Sequence, residues 1–196
     1  MSRSSQRARG FTMIELMVTI AVLAILMTIA VPSFNNSIRR NDVSTASNAL
    51  LADLSYARTE AVTRHSTVSM CPSTDGTSCA SSTAYDTGWI IYTYAAGKAK
   101  ANTAYDGSDA GNILLRYTQA RSGVSIQIKG ASVISYGQQG QLKPDSALNF
   151  QVCYRPKGTT GTGFSTTAVP GALLQVSGSG SVNTTQLGVQ TGCTPA

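Results

Sequence analysis

The sequence has few of the residues that enzymes and metal sites need. It contains one histidine, four cysteines and one tryptophan among 196 residues. With one histidine and scattered acids, no Ser-His-Asp, Cys-His or HExxH set is visible, and there is no glycine-rich loop of the Walker or Rossmann type. The cysteines form no C-x-x-C pair, which disfavours a zinc site. The composition therefore predicts a protein that is not an enzyme and that holds no cofactor or metal.

Charge is also scarce near the N-terminus. The 21 residues from Phe11 to Val31 contain one charged side chain, Glu15, and as a helix they would be roughly 30 Å long, about the thickness of the hydrocarbon core of a bilayer. Three arginines and no acid precede them, which by the positive-inside rule predicts a single span with the N-terminus in the cytoplasm and the rest of the chain outside. A secretory signal peptide is the alternative, but no small-x-small cleavage site follows the apolar run.

A carboxylate within this apolar segment needs a partner. An ionised Glu in a membrane span costs on the order of a few kcal/mol, so such a residue is by default functional. A cut after Gly10 would create a partner, because it exposes an α-ammonium group on Phe11. The sequence thus links cleavage at Gly10 to the charge of Glu15.

Gly10-Phe11-Thr12-x-x-Glu15, followed by an apolar run and Pro32, resembles the class III leader and N-terminal helix of type IV pilins and type II secretion pseudopilins. The resemblance implies that a prepilin peptidase cuts after Gly10 and methylates Phe11. It also implies that Glu15 pairs with the N-terminus of a neighbouring subunit during assembly. An uncleaved single-pass anchor is the alternative.

The resemblance divides the chain into three parts. They are a leader peptide (1–10), the transmembrane and assembly half of an N-terminal helix (11–34) and a periplasmic headpiece (35–196). The implied location is the inner membrane, followed by the pilus fibre at the cell surface. The headpiece is long enough for one domain.

The helical pattern resumes beyond Pro32, so a bend is expected there rather than an end. Small and apolar residues recur at three- and four-residue spacing, at Val43, Ala46, Leu50, Leu54, Ala57 and Ala61. The charged residues mostly fall on the other faces, at Arg39, Arg40, Asp42, Asp53, Arg58 and Arg64. These spacings predict one helix from about Thr12 to about Arg64 that is amphipathic in its second half.

After His65, short runs of β-branched and aromatic residues predict strands. The predicted strands are Thr67 to Cys71, Gly88 to Tyr94, Ile113 to Thr118, Val124 to Ile128, Val133 to Tyr136, Leu148 to Tyr154 and Leu173 to Val176. Alternation in the fourth run predicts one buried and one exposed face. No helical pattern separates the strands, which favours an α+β fold with the long helix packed on antiparallel sheet. This is the type IV pilin fold that the resemblance implies.

A second set of residues resembles the GspH/FimT branch of the pilin-like proteins. These are the helix end from Leu50 to Arg64, the pair Gly88-Trp89, and the run Ser135-Tyr136-Gly137-Gln138-Gln139-Gly140. Within the branch, the basic leader, the cysteines and the long Ser/Thr-rich loops are more similar to a minor pilin of the FimU/FimT kind than to the pseudopilin GspH.

Four cysteines on the far side of a membrane indicate an oxidising compartment. Their spacing allows three pairings, of which we favour Cys71 with Cys79 and Cys153 with Cys193. The first bridge would close the turn after Cys71, and the second would tie the C-terminal tail to a strand. A metal site is the alternative, but the one histidine, His65, is at a predicted helix end.

The function expected from these residues is that of a minor pilin, incorporated into a type IV pilus or its initiating tip complex. Its partners would be other major and minor pilins or pseudopilins, the prepilin peptidase and the inner membrane. A minor pseudopilin of type II secretion shares every N-terminal feature and is one alternative.

DNA binding for natural transformation is the other alternative. Relatives that bind DNA carry a Gly-Arg-x-Arg motif near the C-terminus, and this sequence has none. The nearest candidates for contacts with phosphates are Arg155, Lys157 and Lys143. Of 15 Lys and Arg, three are in the leader, which leaves 12 against 9 Asp and Glu, a weak basic balance for a nucleic-acid partner.

Overall fold

A computed structural model describes residues 10–94, 101–189 and 192–195. Helix α1 spans Met13–Thr63 with Pro32 inside it, so the predicted helix is confirmed and is one residue shorter at each end. The chain divides into a compact unit that ends at Ile38 and another that begins at Arg39, four residues beyond the expected start of the headpiece. The predicted leader lies outside the described residues except for Gly10.

The C-terminal end of α1 is set by its backbone. The Ser66 N–H donates to the Ala61 carbonyl at 3.2 Å, and the His65 N–H donates to the Val62 carbonyl at 3.3 Å. His65 has a φ of 47°, which is the left-handed conformation that follows many helices and allows this pair of bonds. His65 therefore ends the helix by its backbone conformation.

The predicted apolar stripe of α1 is buried. Its six members are each at most 3% exposed, and they share one core with residues from both sheets. Leu50 and Leu54 supply most of the apolar area, while the alanines let neighbouring backbone approach closely. Full burial of a leucine side chain contributes about 1.5–3 kcal/mol, so this stripe is a main source of cohesion in the headpiece.

The described residues contain nine strands, all paired antiparallel, in two sheets. They are β1 (Val68–Pro72), β2 (Gly88–Thr93), β3 (Ile113–Gln119), β4 (Val124–Ile128), β5 (Ile134–Tyr136), β6 (Leu142–Lys143), β7 (Leu148–Tyr154), β8 (Ala172–Val176) and β9 (Val182–Gln186). One sheet has the order β3-β2-β1-β5-β6 and the other β4-β7-β8-β9. The α+β architecture is as predicted, and β6 and β9 are additions to the predicted strands.

Tyr85 joins the two sheets. It lies in a 3-10 turn, Tyr85–Thr87, before β2, and its ring meets Phe150 of β7 edge-to-face with centroids 5.3 Å apart. Its hydroxyl has one hydrogen to donate and lies within hydrogen-bonding distance of two carbonyls, those of Met70 in β1, at 3.3 Å, and Ser132, at 3.2 Å. Burial raises the pKa of this hydroxyl, so it remains a neutral donor in the core.

Asp53 corrects one sequence prediction. It was expected among the charges on the outer faces of α1, yet it is only 5% exposed. One carboxylate oxygen accepts hydrogen bonds from Trp89 Nε1 at 2.8 Å and Thr118 Oγ1 at 2.6 Å, and the other pairs with Arg116 Nη1 at 2.6 Å. These donors lie on β2 and β3, so the carboxylate joins α1 to that end of the five-stranded sheet.

The prediction that one face of β4 is exposed is also wrong. Ser125 is fully buried and Gln127 is half-buried, because the 3-10 turn covers that side of the strand. The carboxylate of Asp86 in the turn accepts from the Ile126 N–H and from Gln127 Nε2, each at 3.3 Å. Alternation along one strand could not reveal a covering segment from elsewhere in the chain.

Replacing Asp53 by Ala should lower the free energy of unfolding by about 2–4 kcal/mol, because the buried indole and hydroxyl lose their acceptor. Urea denaturation of the headpiece measures it. The matched control is Glu60→Ala on the same helix, which removes an exposed i,i+4 pair with Arg64 and should cost no more than about 0.5 kcal/mol. Equal effects of the two substitutions would contradict a supporting role for Asp53.

Candidate assembly site

The N-terminal segment from Gly10 to Glu15 carries the residues predicted for processing and assembly. Gly10, Phe11 and Thr12 precede the first helical residue, Met13, and the Phe11 side chain is 79% exposed. The Thr12 hydroxyl accepts a hydrogen bond from the Glu15 N–H at 3.2 Å. This is the bond of a helix N-cap, which satisfies one of the free N–H groups of the first turn.

The Thr-x-x-Glu spacing therefore has a local structural role that the sequence analysis missed. It is the spacing of a capping box, in which Thr starts the helix and Glu occupies the third helical position. A carboxylate there is also favoured by the partial positive charge at the helix N-terminus. Within the described residues, no side chain donates a hydrogen bond to the Glu15 carboxylate, which is exposed.

The first half of α1 has an apolar surface that the described residues leave exposed. Its large apolar side chains from Phe11 to Phe34 are each at least 50% exposed, and the helix is long and apolar enough to cross a membrane. The hydroxyls of Thr19 and Thr28 donate to the carbonyls of Leu16, at 2.8 Å, and Ile25, at 2.7 Å. Because their polar groups are satisfied within the helix, these threonines do not interrupt the apolar surface.

The start of the headpiece half of α1 is held by two arginines. The Arg39 guanidinium lies over the Tyr154 ring, 4.9 Å from its centroid. Arg40 Nε donates to the Ala168 carbonyl. These contacts tie the helix to the last residue of β7 and to the segment that follows it, so these two cations serve packing inside the headpiece.

Both disulfides predicted as favoured are present in the structure. Cys71 in β1 is bonded to Cys79, and Cys153 in β7 is bonded to Cys193. Inside the first loop, the Asp75 carboxylate accepts from the N–H groups of Thr77 at 2.8 Å and Ser78 at 2.9 Å. These bonds hold the pKa of Asp75 below its usual range, so the short loop is ordered by an ionised carboxylate at neutral pH.

The three cations considered for DNA do not form one surface. Arg155 pairs with the Asp86 carboxylate at 2.6 Å, and its side chain is 20% exposed. Lys157 is exposed, but its side chain runs beside the Asp42 carboxylate near Gly123. Arg155 and Lys157 thus lie among acidic groups, and Arg155 compensates a buried charge.

Lys143 lies on β6, in the five-stranded sheet. It lines a cavity of about 280 Å³ together with Lys129, which directly follows the last residue of β4. The Arg155 N–H instead bonds to the Gly123 carbonyl, just before the first residue of β4. The two ends of this five-residue strand are roughly 13 Å apart.

Arg58 is another residue whose role the sequence analysis missed. Its Nε donates to the Gly140 carbonyl at 3.1 Å and its Nη2 to the Ser179 carbonyl at 3.2 Å, so it holds one turn from each sheet against α1. Gly180 has a φ of 82°, and a Cβ there would lie 1.9 Å from the Gly140 oxygen. Gly180, which follows the last predicted strand, was the one available signal for this close approach.

Two family models match the chain. The model for type II transport protein GspH matches residues 46–184, and the model for the prokaryotic N-terminal methylation motif matches residues 5–31. The first covers the last 18 residues of α1 and most of the sheets. The second covers the segment that contains Gly10, Phe11 and Glu15.

Similar proteins come from Pseudomonas aeruginosa. A fimbrial protein is 30% identical over 125 residues, which are 64% of this chain and 76% of the relative. Two crystal structures of the type IV minor pilin FimU share the fold. The P21 form has a TM-score of 0.52 at 21% identity, covering 79% of this chain and 96% of FimU. The P65 form has a TM-score of 0.50 at 20% identity, covering 76% and 98%.

Arg155→Ala should lower the free energy of unfolding by about 2–4 kcal/mol, because it leaves the Asp86 carboxylate buried without its cation. Lys157→Ala, two residues away and exposed, is the matched control and should change it by no more than about 0.5 kcal/mol. Urea denaturation gives both values. An Arg155→Ala protein of unchanged stability that had lost a salt-dependent mobility shift of duplex DNA would assign Arg155 to DNA instead.

A headpiece that begins at residue 35 should fold as a soluble monomer when made in an oxidising compartment, since both bridges and the buried half of α1 remain in it. Removing the Cys153–Cys193 bridge by replacing both cysteines with serine should cost about 3–4 kcal/mol, the chain-entropy value for a loop of this length. Thermal melts with and without reductant, and thiol titration in denaturant, measure this. An insoluble headpiece, or free thiols in a folded sample, would contradict the division into anchor and headpiece.

Proposed function

The chain belongs to the GspH family of pilin-like proteins, and from this premise we infer that it is a minor type IV pilin. The observation that carries the inference is the combination of two parts in one chain. An exposed apolar helix begins directly after Gly10-Phe11 and has an exposed carboxylate, Glu15, in its first turn. A disulfide-bonded headpiece that matches the GspH model follows on the same helix.

We propose that the prepilin peptidase cuts between Gly10 and Phe11 and that the new N-terminus is methylated. The methylation-motif match supports this. So does the local structure, since the bond lies two residues before the first residue of α1 and, apart from its chain neighbours, none of the described residues comes within 4 Å of where a Gly10 Cβ would be. A peptidase can therefore reach the bond without unwinding the helix.

In this proposal the Glu15 carboxylate pairs with the α-ammonium group of a neighbouring subunit. A single carboxylate in hydrocarbon is costly, and pairing with an opposite charge offsets part of that cost. The apolar surface around Glu15 would then pack against the helices of other pilins in the fibre. Helices in apolar surroundings associate through close packing and polar pairs, and this segment offers both.

The protein is a membrane-anchored pilin before assembly. We propose that the anchor crosses the inner membrane with its N-terminus in the cytoplasm, as the three leader arginines indicate,. The headpiece would then lie in the periplasm, where its two disulfides can form. The domain division of the proposal is a leader (1–10), an anchor (11–34) and a headpiece (35–196).

A pilus is favoured over type II secretion by the relatives. The family description names type II transport, but the curated relative is a fimbrial protein and the FimU fold matches over almost its whole length. Pilin and pseudopilin families are structural rather than enzymatic, so assembly with other pilins is the activity to test.

Glu15→Ala should leave the protein in the membrane and lower its amount in sheared pili by roughly tenfold, equivalent to the loss of about 1.4 kcal/mol from the assembly contact. Immunoblots of membrane and fibre fractions measure it. Glu60→Ala, a carboxylate on the headpiece half of α1, is the control and should assemble normally. Mass spectrometry should find methylated Phe11 at the N-terminus of the wild type. Normal assembly of Glu15→Ala together with an N-terminus at Met1 would overturn the proposal.

A further inference from the structure

Strand β3 is an open edge of the five-stranded sheet. It is seven residues long, and within the described residues it pairs with β2 alone. Ile113, Leu114 and Tyr117 are 52%, 38% and 37% exposed. In the described part of the β2–β3 connection, the segment at Thr103 packs over the face of β2, where the hydroxyl of Tyr92 donates to the Thr103 carbonyl at 2.7 Å.

The one charged residue of β3 is drawn away from the edge. Soluble proteins usually protect an open strand with a charged side chain that repels another strand. Here the Arg116 guanidinium pairs with Asp53 at 2.6 Å and lies over the Tyr56 ring, 4.0 Å from its centroid. Its charge is neutralised on the α1 side of the sheet, so it does not protect the edge.

A β-bulge places the exposed side chains of Leu114 and Tyr117 on the same face of the sheet, opposite the face that packs on α1. The register between β2 and β3 shifts at Ile91/Tyr92, so that Tyr117 is opposite Ile90 and Leu114 is opposite Tyr92. Without the extra residue, Leu114 would point to the α1 side. Tyr117 also rests on Gly76 of the first disulfide loop, where a Cβ would lie 2.8 Å from its ring. The bulge and the loop thus fix both side chains beside the open edge.

We propose that β3 pairs with an edge strand of a different pilin subunit in the same assembly, so that the sheet continues from one headpiece into the next. Strand addition of this kind takes its affinity from backbone hydrogen bonds and its selectivity from alternate side chains. The partner strand should present apolar side chains to Leu114 and Tyr117. This inference rests on the proposed function, because a pilus supplies the neighbouring subunit.

The size of the contact indicates that the partner is already held nearby. A seven-residue edge is about 23 Å long, and one added strand covers far less than the ~1,200–2,000 Å² of a stable complex between free proteins. Free headpieces should therefore remain monomers. Subunits whose helices are packed in one fibre are present to each other at a high effective concentration, at which such a contact forms.

Within the described residues, the other sheet edges of a second copy offer no matching strand. The β9 edge presents Asn183, Thr184, Thr185 and Gln186, all polar and exposed, and the β6 edge is two residues long. The β4 edge is covered by the segment before the 3-10 turn, where Ala84 bridges Gln127. Antiparallel pairing of two β3 strands about their centre would place like charges opposite each other at Arg116, and neither strand carries an acid,. The edge therefore fits a different subunit.

The test uses the full chain in piliated cells. Leu114→Lys and Tyr117→Lys each place an unpaired charge in the proposed contact and should lower the amount of protein in sheared fibres by roughly tenfold at an unchanged membrane level. Thr184→Lys on the β9 edge is the matched control and should stay within about twofold of the wild type. Ile113→Thr retains a β-branched residue in the strand and should give a smaller reduction in the same direction.

Thiol titration of each purified variant shows whether the headpiece has folded with both bridges closed. If folded Leu114→Lys and Tyr117→Lys proteins enter fibres like the wild type, the edge contact is wrong while the minor-pilin function stands. If the wild type itself is absent from fibres, the proposed function fails first. The remaining case is that β3 pairs with a second copy of this chain, and formaldehyde crosslinking of two differently tagged copies tests it. A crosslink between the two copies that is lost in Leu114→Lys would overturn the choice of a different subunit.

Discussion

The buried carboxylate of Asp53 is the contact on which the arrangement of the headpiece depends. A buried charge is tolerated only when its hydrogen-bonding capacity is met, and here three donors on β2 and β3 converge on one helical residue. Because these donors have fixed positions in the sheet, α1 can take only one rotation and one height against it. The apolar stripe alone would allow the helix to slide by a turn, since its alanines and leucines are spaced regularly.

A second polar contact holds the helix farther along, on the other side of the apolar stripe. Arg58, five residues along from Asp53, bonds to the carbonyls of Gly140 and Ser179, and so holds one turn from each sheet. The Asp86 carboxylate likewise joins the 3-10 turn to β4 and to Arg155, because it accepts hydrogen bonds from both. The apolar contacts in the core that the two sheets share do not favour one orientation over another. The hydrogen bonds of these three polar side chains are directional, so they fix how the helix and the sheets are oriented. Three polar side chains therefore set the orientation of the elements in the headpiece, whereas the many apolar contacts of the core supply most of its stability.

Sequence patterns predicted the helix and most strands well because both depend on residues that are close together in the chain. The spacing of Val43 to Ala61 predicted the buried face of α1, and β-branched runs predicted β4 and β7 to the residue. The failures required knowledge of distant segments. Asp53 was assigned to the surface because it is charged, although its donors are up to 65 residues away in sequence. β9 was missed because Asn183 to Gln186 are polar, and only pairing with β8 makes them a strand. At the N-terminus, the spacing of Thr12 and Glu15 also forms a helix cap. The sequence analysis missed this role because it interpreted the two residues only as part of the processing motif.

The treatment of carboxylates differs between the two parts of the chain, and the difference explains how such a protein stays folded alone yet assembles with others. In the headpiece, Asp53, Asp86 and Asp75 each accept several hydrogen bonds from their own chain, so their charges need nothing from outside. Glu15 is exposed in an apolar helix, and the described residues give its carboxylate no donor. In the proposed assembly, that carboxylate would lower its free energy in a bilayer by meeting a cation from another chain. Folding would then be completed within the subunit, and the proposed assembly would supply the partner for the remaining charge.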